Sequence, residues 1–168
     1  MDEISLRRWR TEDSNILAEI CNDGDVQRYL LLSILPYTVD DACSFIEYAK
    51  RCESEGGEQC FAVVLDGLVI GSVSYTIQTG CHSNSASVGY YIGKRYWGKG
   101  YMSRALNLII DKIFENPSVD RIYAEIFAEN SASARVLEKC GFVCEGTLRK
   151  AVVKGREVHD AKLYALVR

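Results

Sequence analysis

The chain has 168 residues, 48% of them hydrophobic and 26% charged, and a formal net charge of −3. That is enough for one hydrophobic core and too little for two, with the composition of an ordinary globular protein. A charge so near balance leaves no basic footprint for nucleic acid, and two prolines without any low-complexity tract leave no linker, so one domain over residues 1–168 is expected.

Ile4 and Leu6 alternate with polar neighbours ahead of Trp9, the period of a short strand. Thr11 is read as the cap of a first helix, with Glu12 and Asp13 in its opening turn and Ile16, Leu17 and Ile20 as its apolar stripe. From Asn22 to Pro36 no period holds beyond one helical turn near Val26 to Leu30. Thr38 then caps a second helix, with Asp41 at the capping-box position and Ala42, Phe45, Ile46 and Ala49 as its buried face, ending before Gly56-Gly57. Cys60 to Leu65 and Leu68 to Ile77, joined by Asp66-Gly67, spell a β-hairpin. A polar stretch from Thr79 to Ser85 leads to a strand from Ala86 to Ile92, and a helix from Tyr101 to Phe114 buries Leu106, Ile109, Ile110 and Ile113 before Asn116-Pro117 stops it. A strand from Arg121 to Phe127, a helix from Ser131 to Cys140 closed by Gly141, and a hairpin turning at Lys154-Gly155 complete an α+β chain.

Seven cysteines, at positions 21, 43, 52, 60, 81, 140 and 144, form no Cys-x-x-Cys pair, and two histidines are too few to complete a metal site. They read as reduced, buried thiols acting as small hydrophobes, with no metal and a cytoplasmic setting. The acidic start Asp2-Glu3-Ile4 lacks the apolar stretch of a signal peptide. The apolar runs near Leu30-Leu31-Leu32 and from Leu106 to Ile110 are far short of a bilayer span, so no membrane partner is expected.

The chemically informative unit is a strand, a Gly-rich turn and a helix: Ser87 to Ile92, then Trp97-Gly98-Lys99-Gly100, then the helix from Tyr101. Glycine lets backbone approach a ligand, and the first N–H groups of a helix point outward with the positive end of its dipole, so the turn suits a pyrophosphate. The Gly-Lys-Ser/Thr ending of a Walker A loop is missing, as is the third glycine of a Rossmann fingerprint. Alone, the turn says only that an anion fits a helix start. Downstream, Asn130 reads equally as an N-cap, Ser133 as a first-turn polar residue and Gly141 as a helix terminator.

Jointly these features carry a resemblance. Gly89-Tyr90-Tyr91-Ile92, Tyr96-Trp97-Gly98-Lys99-Gly100-Tyr101-Met102, Asn130-x-x-Ser133 and Gly141-Phe142-x-x-Glu145-Gly146-x-Leu148-Arg149 resemble the GNAT superfamily of N-acetyltransferases. Within it, the chain looks like the branch of ribosomal-protein N-terminal (alanine or serine) acetyltransferases. The resemblance implies a single α+β domain with a central mixed, mostly antiparallel sheet of about seven strands flanked by helices. It implies that the strands ending at Ile92 and Phe127 splay apart to hold acetyl-CoA, with the pantetheine arm pairing like an added strand with backbone at Tyr91 and Ile92. The family's pyrophosphate loop, Arg/Gln-x-x-Gly-x-Gly/Ala, is matched literally by Arg95-x-x-Gly98-x-Gly100. The strand end and the following helix instead place Trp97, Gly100 and Met102 in those positions. Gly98, Lys99, Tyr101 and Ser103 join them as implied cofactor contacts, with Asn130 on the arm and Ser133 by the sulfur.

Amine acetylation needs a neutral amine, a donor for the oxyanion and a partner for the leaving thiolate. The resemblance implies a backbone N–H on the strand ending at Ile92 as oxyanion donor and Ser133 as the catalytic thiolate partner, with Tyr101 the weaker candidate. No base is assigned: the places where relatives carry a glutamate hold Ser85-Ala86-Ser87 and Ala151-Val152-Val153, leaving Glu125 and His159 as candidates. The expected acceptor is a protein or peptide N-terminal α-amine. A small-molecule amine and a non-catalytic acetyl-CoA-binding module remain alternatives. Substrate contacts are expected from Asn22 to Pro36 and the closing hairpin, and a homodimer is left open.

Overall fold

In the computed structural model, which describes residues 2–31 and 35–168, one mixed sheet carries the architecture. Its strands among the described residues are β1 (Ile4–Arg7), β2 (Gln59–Leu65), β3 (Leu68–Ile77), β4 (Ser85–Ile92), β5 (Arg121–Phe127), β6 (Val143–Lys154) and β7 (Glu157–Val167). The helices are α1 (Ser14–Cys21), α2 (Gly24–Gln27), α3 (Val39–Glu55), α4 (Tyr101–Phe114) and α5 (Ser131–Lys139). Strand order is β1-β2-β3-β4-β5-β7-β6. Every neighbouring pair is antiparallel except β4 with β5.

The β2–β3 turn shows how local sequence sets register. Asp66 and Gly67 both take positive φ, 47° and 85°, the twist that matches a two-residue hairpin loop. Gly71 on β3 is glycine because a side chain there would collide with the carbonyl oxygen of Tyr91 on β4.

The sheet is covered on both faces around β2 and β3, whereas β6 is exposed along nearly all of its length. On one, α4 packs Leu106, Ile109 and Ile113 against Val63, Val73, Val88 and Ile122. On the other, Leu17 of α1 and Ala42, Ile46 and Ala49 of α3 cover Cys60, Ala62 and Val69. Phe45, expected in the buried face of α3, is only half-buried and meets Trp9 edge-on at 5.9 Å. The Thr38–Asp41 capping box forms as expected, Thr38 N–H donating to Asp41 Oδ2 at 2.8 Å and Asp41 N–H to Thr38 Oγ1 at 3.2 Å.

Thr11 does not cap a helix. Thr11–Asp13 is a single 3-10 turn and α1 starts at Ser14, because Asp13 takes the anchoring role. Its buried carboxylate accepts the Arg10 N–H at 2.9 Å and both arms of the Arg7 guanidinium, at 2.7 and 2.8 Å, tying β1 to α1. Thr11 Oγ1 instead accepts from Lys50 Nζ of α3 at 2.9 Å. Packing also fails to account for every cysteine: all seven are free thiols, and while Cys21 and Cys60 are buried, Cys81 and Cys144 are exposed. No helix among the described residues is long and apolar enough to cross a membrane. Leu32, at the end of the apolar run from Leu30, lies outside the described residues.

Two registers then create an opening. β4 follows β3 along its whole length, from Ile77↔Ala86 to Gly71↔Ile92, and β5 follows β7 from Arg121↔Val167 to Phe127↔Ala161. Between β4 and β5 only Ser85↔Arg121, Ala86↔Ile122 and Ser87↔Tyr123 pair. Beyond Ser87 the two strands part, each loyal to its antiparallel neighbour, and the middle of the sheet splits into a V.

Candidate active site

The edges of the V carry unused backbone. Gly93 N–H donates to Ile70 O of β3 at 2.8 Å. The two-residue alternation of a strand therefore turns the peptide groups of Tyr91 toward β3 and those of Tyr90 and Ile92 into the opening. The Ile92 carbonyl is already engaged by Trp97 Nε1 at 2.8 Å, which fixes the indole across the strand end. Tyr90 and the Ile92 N–H are thus the cleft-facing backbone groups, while Tyr91, which also lines the cavity, directs its own peptide groups to β3.

A cavity of about 370 Å³ opens along one side of the V. The start of α4 forms one wall. Gly98 and Gly100 hold positive φ, 73° and 79°, so the chain doubles back and enters the helix with no side chain capping it. The first N–H groups of α4, from Tyr101 to Ser103, open onto the cavity, which is where a helix terminus favours an anion. The start of α5 forms the opposite wall. Asn130 Oδ1 accepts the Ser133 N–H at 3.1 Å, so the N-cap reading of Asn130 holds while the residue also lines the cavity. Arg135 and Lys139, one helical turn apart on α5, border the same space.

At the apex of the cleft the Tyr90 hydroxyl lies 2.7 Å from Ser133 Oγ. Burial pushes the Tyr90 phenol upward from its ordinary value, so it stays protonated at neutral pH. The phenol also donates to the Ser133 carbonyl oxygen at 3.2 Å, and either hydroxyl can be the donor of the pair; when Tyr90 donates to Ser133 Oγ, the serine hydrogen is left to point at a ligand atom.

A second cavity of about 290 Å³ lies on the other side of the strands and shares Tyr29, Leu30, Tyr90, Tyr91, Asn130 and Ser133 with the first. Its walls include Phe45, Val88, Ile126 and Phe127, together with two carboxylates, Glu58 and Glu125, and no Lys or Arg among the described residues. Cys60 also lines it. Burial, with the charge of Glu58 adding to it, pushes that thiol up to about 12, which leaves it protonated and unreactive. Tyr29 and Leu30, just after α2, line both cavities. This stretch is tied down at α2 by Lys94 Nζ to Asp25 Oδ2 at 2.5 Å, and beyond it by Lys154 Nζ donating to the carbonyls of Gln27, Arg28 and Leu30.

The structure gathers Tyr91, Ile92, Trp97, Gly98, Gly100, Tyr101, Met102, Ser103, Asn130 and Ser133 around the first cavity. It does not bring Lys99 there: that side chain is exposed and outside the wall. Met102 buries its side chain in the core and offers only backbone. The Tyr101 hydroxyl donates to Asp2 Oδ2 at 2.5 Å and is committed away from the apex. Arg95 is exposed, faces Glu19 at 3.7 Å and lines neither cavity, which agrees with the register through Trp97 and Gly100. Glu125 reaches the second cavity, whereas His159 stands between Glu129 and Glu157 and lines neither. Of the expected substrate-contacting regions, Tyr29 to Leu31 and Val152 line the second cavity. Sequence reasoning missed the Tyr90 side chain, Glu58, and the Arg135/Lys139 pair. Only the last left a signal, two cations at i and i+4 on the helix after Asn130.

The chain is 38% identical over 135 residues to "Probable N-acetyltransferase YjcK" of Bacillus subtilis, covering 78% of this chain and 74% of that one. It is 29% identical over 171 residues to "Uncharacterized N-acetyltransferase p20" of Bacillus licheniformis, covering 99% and 94%. The crystal structure of a ribosomal-protein-S5-alanine acetyltransferase from Vibrio fischeri superposes with a TM-score of 0.86 at 26% identity, covering 99% of this chain and 94% of that one. The family model described as an acetyltransferase (GNAT) domain matches residues 3–143, well over half of the sequence. The chain belongs to the GNAT family of acetyltransferases and is an acyltransferase.

Proposed function

We propose that this N-acetyltransferase moves the acetyl group of acetyl-CoA to the α-amine of a polypeptide N-terminus. The observation that carries the reading is the junction of the two cavities at Tyr90 and Ser133, with an anion-favouring wall on one side only. The first cavity fits the cosubstrate. Two helix starts and the Arg135/Lys139 pair suit its phosphates, and the parting of β4 from β5 beyond Ser87 leaves strand backbone unpaired, which suits an extended amide-bearing arm. When bound there, acetyl-CoA supplies a thioester carbonyl.

The chain's own groups then divide the work. The Ile92 N–H, turned into the cleft, donates to the carbonyl oxygen as charge builds on it. Ser133, oriented by Tyr90, donates to the sulfur as it leaves. The walls of the second cavity hold the amine opposite the thioester and keep bulk water from it. An α-amine of pKa about 8 is partly neutral at pH 7, whereas a lysine amine near 10.4 is almost wholly charged, so an N-terminus needs less help to react.

The second cavity bears on the acceptor. Its lining has no cation among the described residues to pair with a free carboxylate, which speaks against a free amino acid and suits a peptide, whose second unit is a neutral amide. The S5-alanine acetyltransferase similarity points the same way. The experiment is thiol release from acetyl-CoA with a panel of Ser- and Ala-starting peptides, free amino acids and polyamines. Fastest release with the peptides is expected. Faster release with a free amino acid or a polyamine would replace the proposed acceptor, and tight acetyl-CoA binding with no release on any amine would leave a binding module.

A further inference from the structure

We infer that Glu58 receives the charged amine of the acceptor, anchoring the ammonium in the second cavity and taking a proton from its nitrogen during transfer. The inference rests on the acetyl-transfer reading for the identity of the reaction, and on geometry for the residue.

Glu58 lies just ahead of β2, two strands away from the cleft in the sheet order, yet its carboxylate reaches the acceptor side. Ser74 Oγ of β3 donates to Glu58 Oε1 at 2.6 Å and the Tyr48 hydroxyl of α3 donates to Oε2 at 3.2 Å. Ser74 is the register partner of Gly89 on β4, and a side chain added at Gly89 would meet Ser74 Oγ at 3.6 Å. The Ser74 hydroxyl that holds Glu58 therefore lies beside Gly89, immediately before the Tyr90 to Ile92 stretch that faces the cleft. The strand itself has no carboxylate there, since Ser85-Ala86-Ser87 stands in its place.

The carboxylate is half-buried, and no Lys, Arg or His among the described residues forms an ion pair with it. Arg8, which reaches the neighbouring start of β2, is committed to Glu53 at 2.9 Å and to Gln59 at 2.7 Å. An anion held by two neutral donors in a largely apolar chamber is stabilised further by any cation that enters. Each of its oxygens still has a lone pair to offer. The ligand this arrangement favours is a primary ammonium on an uncharged body.

Glu125 shares the chamber but is exposed and lacks comparable donors in the hydrogen-bonding pattern, which makes Glu58 the oriented one of the two. An ammonium loses two protons on the way to an amide. The first leaves to solvent as the neutral amine forms. The second passes to the Glu58 carboxylate as the nitrogen–carbon bond forms and the carbon–sulfur bond breaks, the sulfur keeping the electron pair as a thiolate beside Ser133.

The test is calorimetric binding of two amine probes, a tetrapeptide with a free N-terminus and butylamine, to the enzyme–CoA complex. The N-acetylated tetrapeptide serves as the uncharged control, and unmodified protein, Glu58→Gln and Glu125→Gln are compared. Glutamine accepts one of the two hydrogen bonds through its carbonyl oxygen and can donate its amide N–H to the other hydroxyl, so the side chain stays in place while its charge is lost. Glu58→Gln is expected to weaken both free amines by about tenfold to a hundredfold, leaving CoA and the acetylated peptide unaffected. Equal affinity in Glu58→Gln, a loss carried instead by Glu125→Gln, or no affinity of the unmodified protein for either amine overturns the inference. Thiol release is read separately: amine binding that depends on Glu58 without any release would sink acetyl transfer and leave the anchor standing.

Discussion

The two sides of the cleft are built from different materials. The side facing α4 and α5 is made of backbone: helix-start N–H groups, a doubled-back Gly98–Gly100 turn and cleft-facing peptide groups of β4. The opposite side is made of side chains from α3, the start of β2, β3, β5 and β6, plus the loop after α2. A backbone site needs special φ at fixed places and so writes glycines into a short stretch of sequence. A side-chain site assembled across elements asks only that each residue be compatible with its own strand or helix, and leaves no local pattern.

That contrast predicts how each side breaks. The largest effect belongs to the junction: Ser133→Ala should lower turnover by about a hundredfold with acetyl-CoA affinity unchanged, the scale of one lost donor at a developing charge. Calorimetry and stopped-time thiol assays separate the two quantities, and unchanged turnover would remove Ser133 from the chemistry. Next comes the backbone wall. Gly100→Ala adds a methyl that meets no protein atom but forces an L-residue to hold φ near 79°. The strain is about 1–2 kcal/mol, so binding of acetyl-CoA should weaken about tenfold while the amine side is untouched. An equal loss in amine affinity would show that the two sides are not independent.

Tyr90→Phe should slow turnover by about fivefold, since it removes the phenol that orients Ser133 but leaves the ring in place. Its effect should vanish in the Ser133→Ala background, and full additivity would argue that the two hydroxyls act apart. A smaller effect is expected from Arg135→Ala, about threefold in CoA affinity and shrinking as salt is raised, because the side chain is exposed. Lys99→Ala should do less still, and the reverse order would put the cation of the phosphate wall back on the turn.

Much of the frame was legible because its signals are local. Asp66-Gly67 marks a hairpin whichever core lies beneath it, and α4 and β5 occupy the ranges that the periodicity predicts, Tyr101–Phe114 and Arg121–Phe127. Thr11 misled because a good cap residue sits beside a better-placed one. Only the fold shows that Asp13 is buried against Arg7, and there burial pushes the carboxylate up while hydrogen bonds from Arg7 and Arg10 more than offset it, leaving it below its usual value. At the site, Lys99 drew notice by lying between two glycines, yet a turn that doubles back points its middle side chain to solvent. Glu58 drew none, because nothing in Gly56-Gly57-Glu58-Gln59 says that Ser74 and Gly89 will lie beside it. Strand parity, which turns the peptide groups of Tyr90 rather than Tyr91 to the cleft, needs the pairing of β4 with β3 before it can be read.

The most direct test of acetyl transfer across this junction is mass spectrometry of a Ser- or Ala-starting peptide after incubation with the protein and acetyl-CoA, with thiol counted in the same sample. The account predicts a single acetyl group on the α-nitrogen, equimolar with the thiol released and slowed together with it, by about a hundredfold, in Ser133→Ala. Bound acetyl-CoA with no acetylated peptide, and thiol release no faster than in the absence of amine, would contradict it.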